Sequence, residues 1–195
     1  MKKALFLLCF FLAAAAAKAQ ISYENFKSLI PHLQTENWRK AFTQSKALLD
    51  ANKNDTSDLA AIVRYINLLS GAGMVSARQM ESDDFKKIAQ SYVGKPLIMA
   101  IHPCVDSNVH AYNSLQFTKS KDNQLQGLTV EANDAQTSIL LFEYFAFDEP
   151  PVPSKYVGQN VRCGGILESV EVSSGFLWIA RLHLVLSFAR ATQPR

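Results

Sequence analysis

The sequence lacks the motifs of the common enzyme mechanisms. Its 195 residues contain no G-x-S-x-G nucleophile elbow, no H-E-x-x-H zinc motif, no phosphate-binding Walker loop and no G-x-G-x-x-G dinucleotide fingerprint. Cysteine is scarce, with three residues and no C-x-x-C pair, which argues against a structural zinc site. We therefore predict no catalytic set of a familiar type, no metal and no cofactor.

Long apolar runs are concentrated at the N-terminus. Two lysines precede an apolar run over 4–12, and a stretch rich in alanine ends at Ala19. This order is typical of a secretory signal peptide, and the run is shorter than the roughly 20 residues of a membrane span. We predict a signal peptide at 1–19 and an exported protein, periplasmic or extracellular, without a stable membrane span. Lipidation of Cys9 is disfavoured because Leu8, rather than a small residue, precedes it.

Neither sign of charge is in excess once 1–19 is removed. The whole chain has 20 Lys+Arg and 17 Asp+Glu, and the segment carries three lysines and no acid, so the rest has 17 − 17 = 0. A neutral chain has no bulk electrostatic attraction to nucleic acid or to anionic lipid. We therefore expect no nucleic-acid partner.

Residues 22–92 have helical periodicity and residues 96–190 have strand periodicity. We therefore predict a helical segment at 20–94 and a β domain at 95–195. Four helices are predicted in the first segment. They are a short one over 22–30 ended by Pro31, one after an N-cap at Thr35, one that stops near Gly71 and Gly73, and one capped by Ser82. Six strands are predicted in the second segment, over 97–102, 109–118, 125–131, 138–147, 160–172 and 176–189, with a hairpin turn at 173–175. This pattern predicts an α+β protein whose helices pack on an antiparallel β barrel or sandwich.

Two short stretches carry family resemblances. Residues 37–55 resemble the second helix and exit turn of a tetratricopeptide repeat, but no second in-register copy follows, so a solenoid is not expected. Tyr92-Val93-Gly94-Lys95 precedes a strand and recurs as 156–159 before another strand, which contains Gly164 and Gly165. This arrangement resembles the first strand of OB-fold-like barrels in some exported bacterial proteins. The resemblance implies an OB-like β segment with a ligand-binding face.

Reactive side chains are concentrated at 102–110. His102, Cys104 and His110 suggest a cysteine nucleophile with a nearby base, or a metal site completed by Cys163 and His183. The alternative, which we favour, is an ordinary loop whose cysteine is packed or bridged. Cys104 and Cys163 are an even pair in an oxidising compartment, so a disulfide is one alternative, two buried thiols are a second and a metal role is a third.

Two further features each have two interpretations. Glu143 lies in an apolar strand, where an unpaired carboxylate would have its charged form disfavoured, as in a perturbed catalytic acid. The alternative, which we favour, is that it faces solvent or pairs with Arg162 or Arg181. The proline-rich loop at 147–153 is a connector that could also be presented to partners. The partly polar strand faces predict a ligand surface formed by Tyr144, Arg162, Arg181 and His183.

The leading hypothesis is a non-enzymatic binding or interaction module of the cell envelope, with a protein or a small molecule as its partner. The β face and the helical groove are its candidate surfaces. One alternative is an unusual enzyme that uses Cys104 and the neighbouring histidines. Another is a structural protein of the envelope.

Overall fold

The chain is seen in a computed structural model that describes residues 20–109, 111–135, 139–147, 149–172 and 180–192, with the backbone alone for 139, 140, 142 and 180–192. The predicted signal peptide at 1–19, the predicted turn at 173–175 and His110 lie outside the described residues.

The described part of the N-terminal segment contains five helices. They are α1 (Tyr23–Lys27), α2 (Ile30–Gln34), α3 (Trp38–Ala51), α4 (Asp58–Ser76) and α5 (Ser82–Gln90). There is one more helix than predicted because Pro31 does not simply end the first one. It lies in the first turn of α2, where the missing N–H of proline costs no hydrogen bond. Asn37 rather than Thr35 caps α3, by accepting a hydrogen bond from the backbone N–H of Lys40 at 3.3 Å.

Helix α4 is the central element of the core. Thirteen of its 19 residues are buried, so it is covered on nearly all sides. By length and composition alone it could cross a membrane, which the prediction of a single N-terminal apolar run did not anticipate. Its apolar surface packs instead on α3, on α5 and on the inner face of the sheet.

Two glycines in α4 allow this close packing. The helix was predicted to stop near Gly71 and Gly73, but it continues to Ser76. A Cβ atom on Gly73 would lie 2.4 Å from the indole of Trp38, and one on Gly71 would lie 2.7 Å from the ring of Phe85. The glycines therefore make room for aromatic rings of α3 and α5, and they do not end the helix.

The C-terminal segment forms a six-stranded sheet of order β1-β5-β6-β4-β3-β2. The strands are β1 (Pro96–Pro103), β2 (Leu115–Lys119), β3 (Leu125–Ala132), β4 (Ile139–Phe147), β5 (Asn160–Val172) and β6 (Ala180–Thr192). Four neighbouring pairs are antiparallel, and β4 and β6 are parallel. The prediction of an entirely antiparallel sheet is wrong for that pair. The second strand begins later than predicted, at Leu115 instead of Val109.

The recurring sequence at 92–95 and 156–159 forms two equivalent turns. Gly94 and Gly158 both have positive φ, 80° and 83°, which glycine adopts without strain. Their N–H groups donate across the β1–β5 pair, from Gly94 to the Leu167 carbonyl and from Gly158 to the Cys104 carbonyl, both at 2.8 Å. The first copy of the repeat thus precedes β1 and the second precedes β5, and these two strands pair with each other.

The sheet curls until its two edge strands meet at one point. Just beyond β1, Cys104 forms an isolated parallel bridge with Leu115 at the start of β2, and the N–H of Val105 donates to the Leu115 carbonyl at 2.9 Å. Register shifts between Gly164 and Gly165 and between Leu167 and Ser169 bend β5. The sheet is curved and not closed. The α+β prediction is confirmed, and helix and strand residues share one hydrophobic core.

We predict that Gly73→Ala lowers the free energy of unfolding by about 1–2 kcal/mol. Overpacking against Trp38 costs about 1–3 kcal/mol, which exceeds the roughly 1 kcal/mol that alanine contributes to a helix. Urea denaturation measures the change. In a Trp38→Ala background the same substitution should be neutral or stabilising. A loss of equal size in both backgrounds would show that the indole is not the cause.

Candidate functional site

Three of the four predicted ligand residues lie at one place on the outer face of the sheet. In the register, Tyr144 of β4 is opposite His183 of β6, and His183 is opposite Ser169 of β5. Arg181 is opposite Glu171. Because successive residues of a strand point to opposite faces, Arg181 and His183 occupy the same face of β6. The structure therefore brings these register positions together.

These positions border a cleft of about 540 Å³, the outer cleft. Its described lining residues are Lys119, Ser120, Lys121, Asp122, Gln126, Tyr144, Ser169 and Glu171. Two lysines are matched by two carboxylates, so the described lining has no net charge. An aromatic ring, an amide and hydroxyl groups complete a surface suited to hydrogen bonding.

Arg162 does not belong to this cleft. It is opposite Ile101 and Arg190 in the register. Arg190 lies seven positions after His183 in β6, which is roughly 23 Å along the strand. The prediction that Arg162 joins the other three residues is therefore wrong, because sharing a face does not imply closeness along a long strand.

Glu143 points to the inner face, where it joins a group of polar side chains that we call the buried acid cluster. The cluster consists of Tyr65, His102, Thr129, Glu131 and Glu143, all of them buried. The hydroxyl of Thr129 donates to Oε2 of Glu143 at 2.5 Å, and the buried Tyr65 of α4 interacts electrostatically with the same carboxyl. The expectation that Glu143 faces solvent or pairs with Arg162 or Arg181 is wrong, because its strand position faces the helix.

His102 and Glu131 form the charged half of the cluster. Nδ1 of His102 lies 3.2 Å from the Asn113 carbonyl oxygen, which only accepts, so Nδ1 carries a hydrogen. Nε2 lies 2.9 Å from Oε1 of Glu131. Burial alone would lower the pKa of His102, but its contacts with Glu131 outweigh burial and raise the pKa above its ordinary value. This arrangement favours an imidazolium–carboxylate pair.

Glu143 is the neutral half of the cluster. Complete burial, and then the nearby charge of Glu131, raise the pKa of its carboxyl to about 8. With His102 and Glu131 as an ion pair and Glu143 protonated, the cluster has no net charge. A buried cluster without net charge avoids the large cost of an uncompensated buried charge.

The cluster can hold a proton, but it is enclosed. No member is more than 7% exposed. Among the described residues, no group of His, Cys, Asp and Glu side chains is placed to hold a metal ion. The sequence reasoning found no second carboxylate near Glu143. Glu131 is that carboxylate, and its position on the inward side of β3 was the signal that could have identified it.

Cys104 and Cys163 are buried and unbridged. The Cys104 N–H donates to the Gln159 carbonyl, so Cys104 lies four residues from Cys163 along β5, roughly 13 Å in an extended strand. A disulfide needs Cα atoms about 4.4–6.8 Å apart. The predicted disulfide is therefore not present in this structure. Burial raises the pKa of Cys104 to about 11 and that of Cys163 to about 12, which disfavours the thiolate that a nucleophile needs.

The proline-rich loop after β4 ends in a 3-10 turn at Pro153–Lys155. Val152 is half exposed beside it. Together with Val157, Phe117 and Leu125, the turn borders a second, more apolar cleft of about 800 Å³. The loop is thus a connector between β4 and β5 that also forms part of a surface depression.

No protein-family model, no curated protein and no solved structure matches the chain.

We predict that Glu143→Gln stabilises the protein at pH 8 and changes little at pH 4. In the folded state Glu143 keeps its proton up to about pH 8, whereas the unfolded chain releases it near the ordinary value of 4.5. The free energy of unfolding therefore falls as the pH rises between these values. The raised pKa of His102 changes the stability in the same direction. Its stabilising contribution is complete below the ordinary pKa of 6.5 and is lost as the pH rises through the higher pKa of the folded state. Glutamine mimics the neutral acid, so its gain at pH 8 should be on the order of 4 kcal/mol, the free energy that corresponds to pKa values of 4.5 and about 8.

Denaturation at several pH values measures this effect. The exposed Glu149 is the matched control, and Glu149→Gln should leave the pH dependence unchanged. If Glu143→Gln had the same pH dependence as the unaltered protein, Glu143 would not be the protonated group.

We also predict two free thiols in the chain that begins at Gln20. The mass should be identical with and without reductant, and both thiols should react with DTNB readily only after denaturation, because burial raises their pKa values. Cys104→Ser should leave one reactive group. A mass lower by two hydrogens without reductant would contradict the structure.

Proposed function

We propose that this protein is an exported, non-enzymatic binding module of the cell envelope and that the outer cleft is its ligand site. The observation that carries the proposal is the convergence of the Tyr144, Arg181 and His183 positions at one polar depression on the sheet. The opposite, inner face is occupied by α4 and the core. A ligand that binds the sheet therefore has the outer face available.

An OB-like interpretation of the sheet supports the same location. The meander β2-β3-β4, the bent β5 and the meeting of the edge strands at Cys104 and Leu115 fit a partly open barrel. In OB-folds one sheet face and its neighbouring loops bind oligonucleotides or oligosaccharides. The outer cleft is likewise formed by residues of a sheet face and by the neighbouring β2–β3 turn around Lys121.

The lining favours a short, uncharged oligosaccharide. Its described lysines and carboxylates balance and the Arg181 position adds one cationic residue, which gives little advantage to a strongly charged ligand. The half-buried ring of Tyr144 offers an apolar surface, and Gln126 and Ser169 offer an amide and a hydroxyl. A sugar presents the complementary combination of C–H faces and hydroxyl groups.

Calorimetry with a panel of neutral oligosaccharides tests the proposal. We expect at least one panel member to bind, and Tyr144→Ala to weaken it about tenfold through the loss of about 1.4 kcal/mol. Tyr112→Ala is the matched control, because Tyr112 is exposed in a loop and does not line the cleft. Equal affinity in the Tyr144 variant, or binding of uncharged peptides alone, would refute the sugar site.

The two alternatives make different predictions in the same experiment. An enzyme would convert a panel member, and Cys104→Ser would abolish the conversion without unfolding the protein. A structural envelope protein would bind no panel member. The raised pKa of Cys104 supports neither nucleophilic chemistry nor fast thiol exchange, and for this reason the binding module is preferred.

A further inference from the structure

A second surface depression lies among the helices, away from the outer cleft. We call it the basic groove. It has a volume of about 470 Å³ and lies between the end of α3, the side of α4 and the segment that follows α5. Its lining residues are Lys46, Leu49, Asp50, Asn52, Lys53, Arg64, Lys87, Ile88, Ser91, Tyr92 and Lys95. Five of these residues are cationic and one is acidic.

Part of this positive charge is compensated by the protein itself. Lys46 pairs with Asp50 at 2.6 Å, and Lys87 pairs with Asp84 at 3.1 Å. The C-termini of α3 and α5 also face the groove, and each carries about half a negative charge. Asp55 attracts Arg64 electrostatically as well, so five cations minus three acids and about one unit of helix charge leave a surplus of about one positive charge. Helix capping and ion pairs therefore do not account for the whole set.

Arg64 is the one buried cation among the described residues that line the groove. It is 7% exposed and lies in the floor of the groove. One terminal nitrogen donates to the Pro96 carbonyl at 2.6 Å and the other to the Asp55 carbonyl at 2.8 Å. Its hydrogen bonds go to carbonyl oxygens, while the Asp55 carboxylate accepts from the N–H groups of Ile21 and Ser57 and attracts Arg64 electrostatically without forming an ion pair. A buried cation whose hydrogen-bond acceptors are neutral carbonyls is stabilised further by an added anion.

Lys53 and Lys95 supply the remaining positive charge at the rim. Both are exposed, and neither forms an ion pair with a described residue. The ammonium of Lys95 lies 5.6 Å from the ring centroid of Tyr92, which places it over the groove wall. The surrounding chain from Gln20 has no net charge, so the surplus is local.

We infer that the basic groove binds a small soluble polyanion that carries two or more phosphate or carboxylate groups. The volume fits a small molecule, and it is too small for a polymer to be enclosed. Lysines at the rim attract the ligand, and the guanidinium of Arg64 favours an anionic group at the floor. This site shares no residue with the outer cleft, so the two proposals can be tested independently.

Isothermal calorimetry with tripolyphosphate and with citrate at low ionic strength tests this inference. Binding of either probe is expected, and it should weaken as salt is added, because the rim lysines are exposed. The double variant Lys53→Gln, Lys95→Gln should weaken binding about tenfold. Both side chains are exposed, so the fold should be retained, and the melting temperature checks this.

The matched control is the double variant Lys40→Gln, Lys86→Gln. Both lysines are exposed on helices and neither lines the groove, so their removal changes the net charge equally without changing the site. An equal loss of affinity in the control would show non-specific charge attraction and would overturn the inference. The absence of binding to both probes would also overturn it, as would binding only to vesicles that contain an anionic lipid.

Discussion

The structure depends on the burial of α4 within the curve of the sheet. The helix fills the inner face almost completely, which is possible because Gly71 and Gly73 let the rings of Phe85 and Trp38 approach its backbone. This arrangement leaves the outer face of the sheet as the surface on which strand residues can meet a ligand. The same helix contributes Tyr65 to the buried acid cluster. The preceding residue, Arg64, lines the basic groove.

The alternation of side chains along β4 separates two kinds of chemistry. Glu143 faces α4, and its neighbour Tyr144 faces the outer cleft. A fully buried acid costs stability at neutral pH, because the folded chain must keep it protonated or compensate its charge. Here Thr129 provides a hydrogen bond to Glu143, and His102 pairs with the second acid, Glu131. The cost is thus shared within one cluster that joins α4 to three strands.

Local patterns in the sequence predicted much of the fold but not the long-range pairing. The bounds of β5 agree with the prediction. Those of β1, β3 and β4 differ from it by at most one residue at each end. In contrast, the parallel β4–β6 pair depends on which strands meet, and this information is not contained in the periodicity of either strand. The glycines of α4 were misread because Gly73 resembles a helix end unless the position of Trp38 is known.

The same limit applied to the candidate site. Strand alternation was sufficient to place Arg181 and His183 on one face, but the register was needed to bring Tyr144 to them and to separate Arg162. The partner of Glu143 was missed because Glu131 is twelve positions away in sequence and is brought close only by the β3–β4 pairing, in which it lies opposite Leu141.

Net charge proved to be a weak guide to possible ligands. A chain with no net charge from Gln20 onward has no long-range attraction for anions, which was the reason to exclude nucleic acid. Electrostatic interactions in salt, however, extend only about 8–10 Å, so a small ligand responds to the nearest few side chains and not to the whole chain. The surplus around Arg64, Lys53 and Lys95 lies within one groove. The neutral net charge therefore argues against long polyanions such as nucleic acid, which extend far beyond about 8–10 Å. It does not argue against a small polyanion that fits one groove.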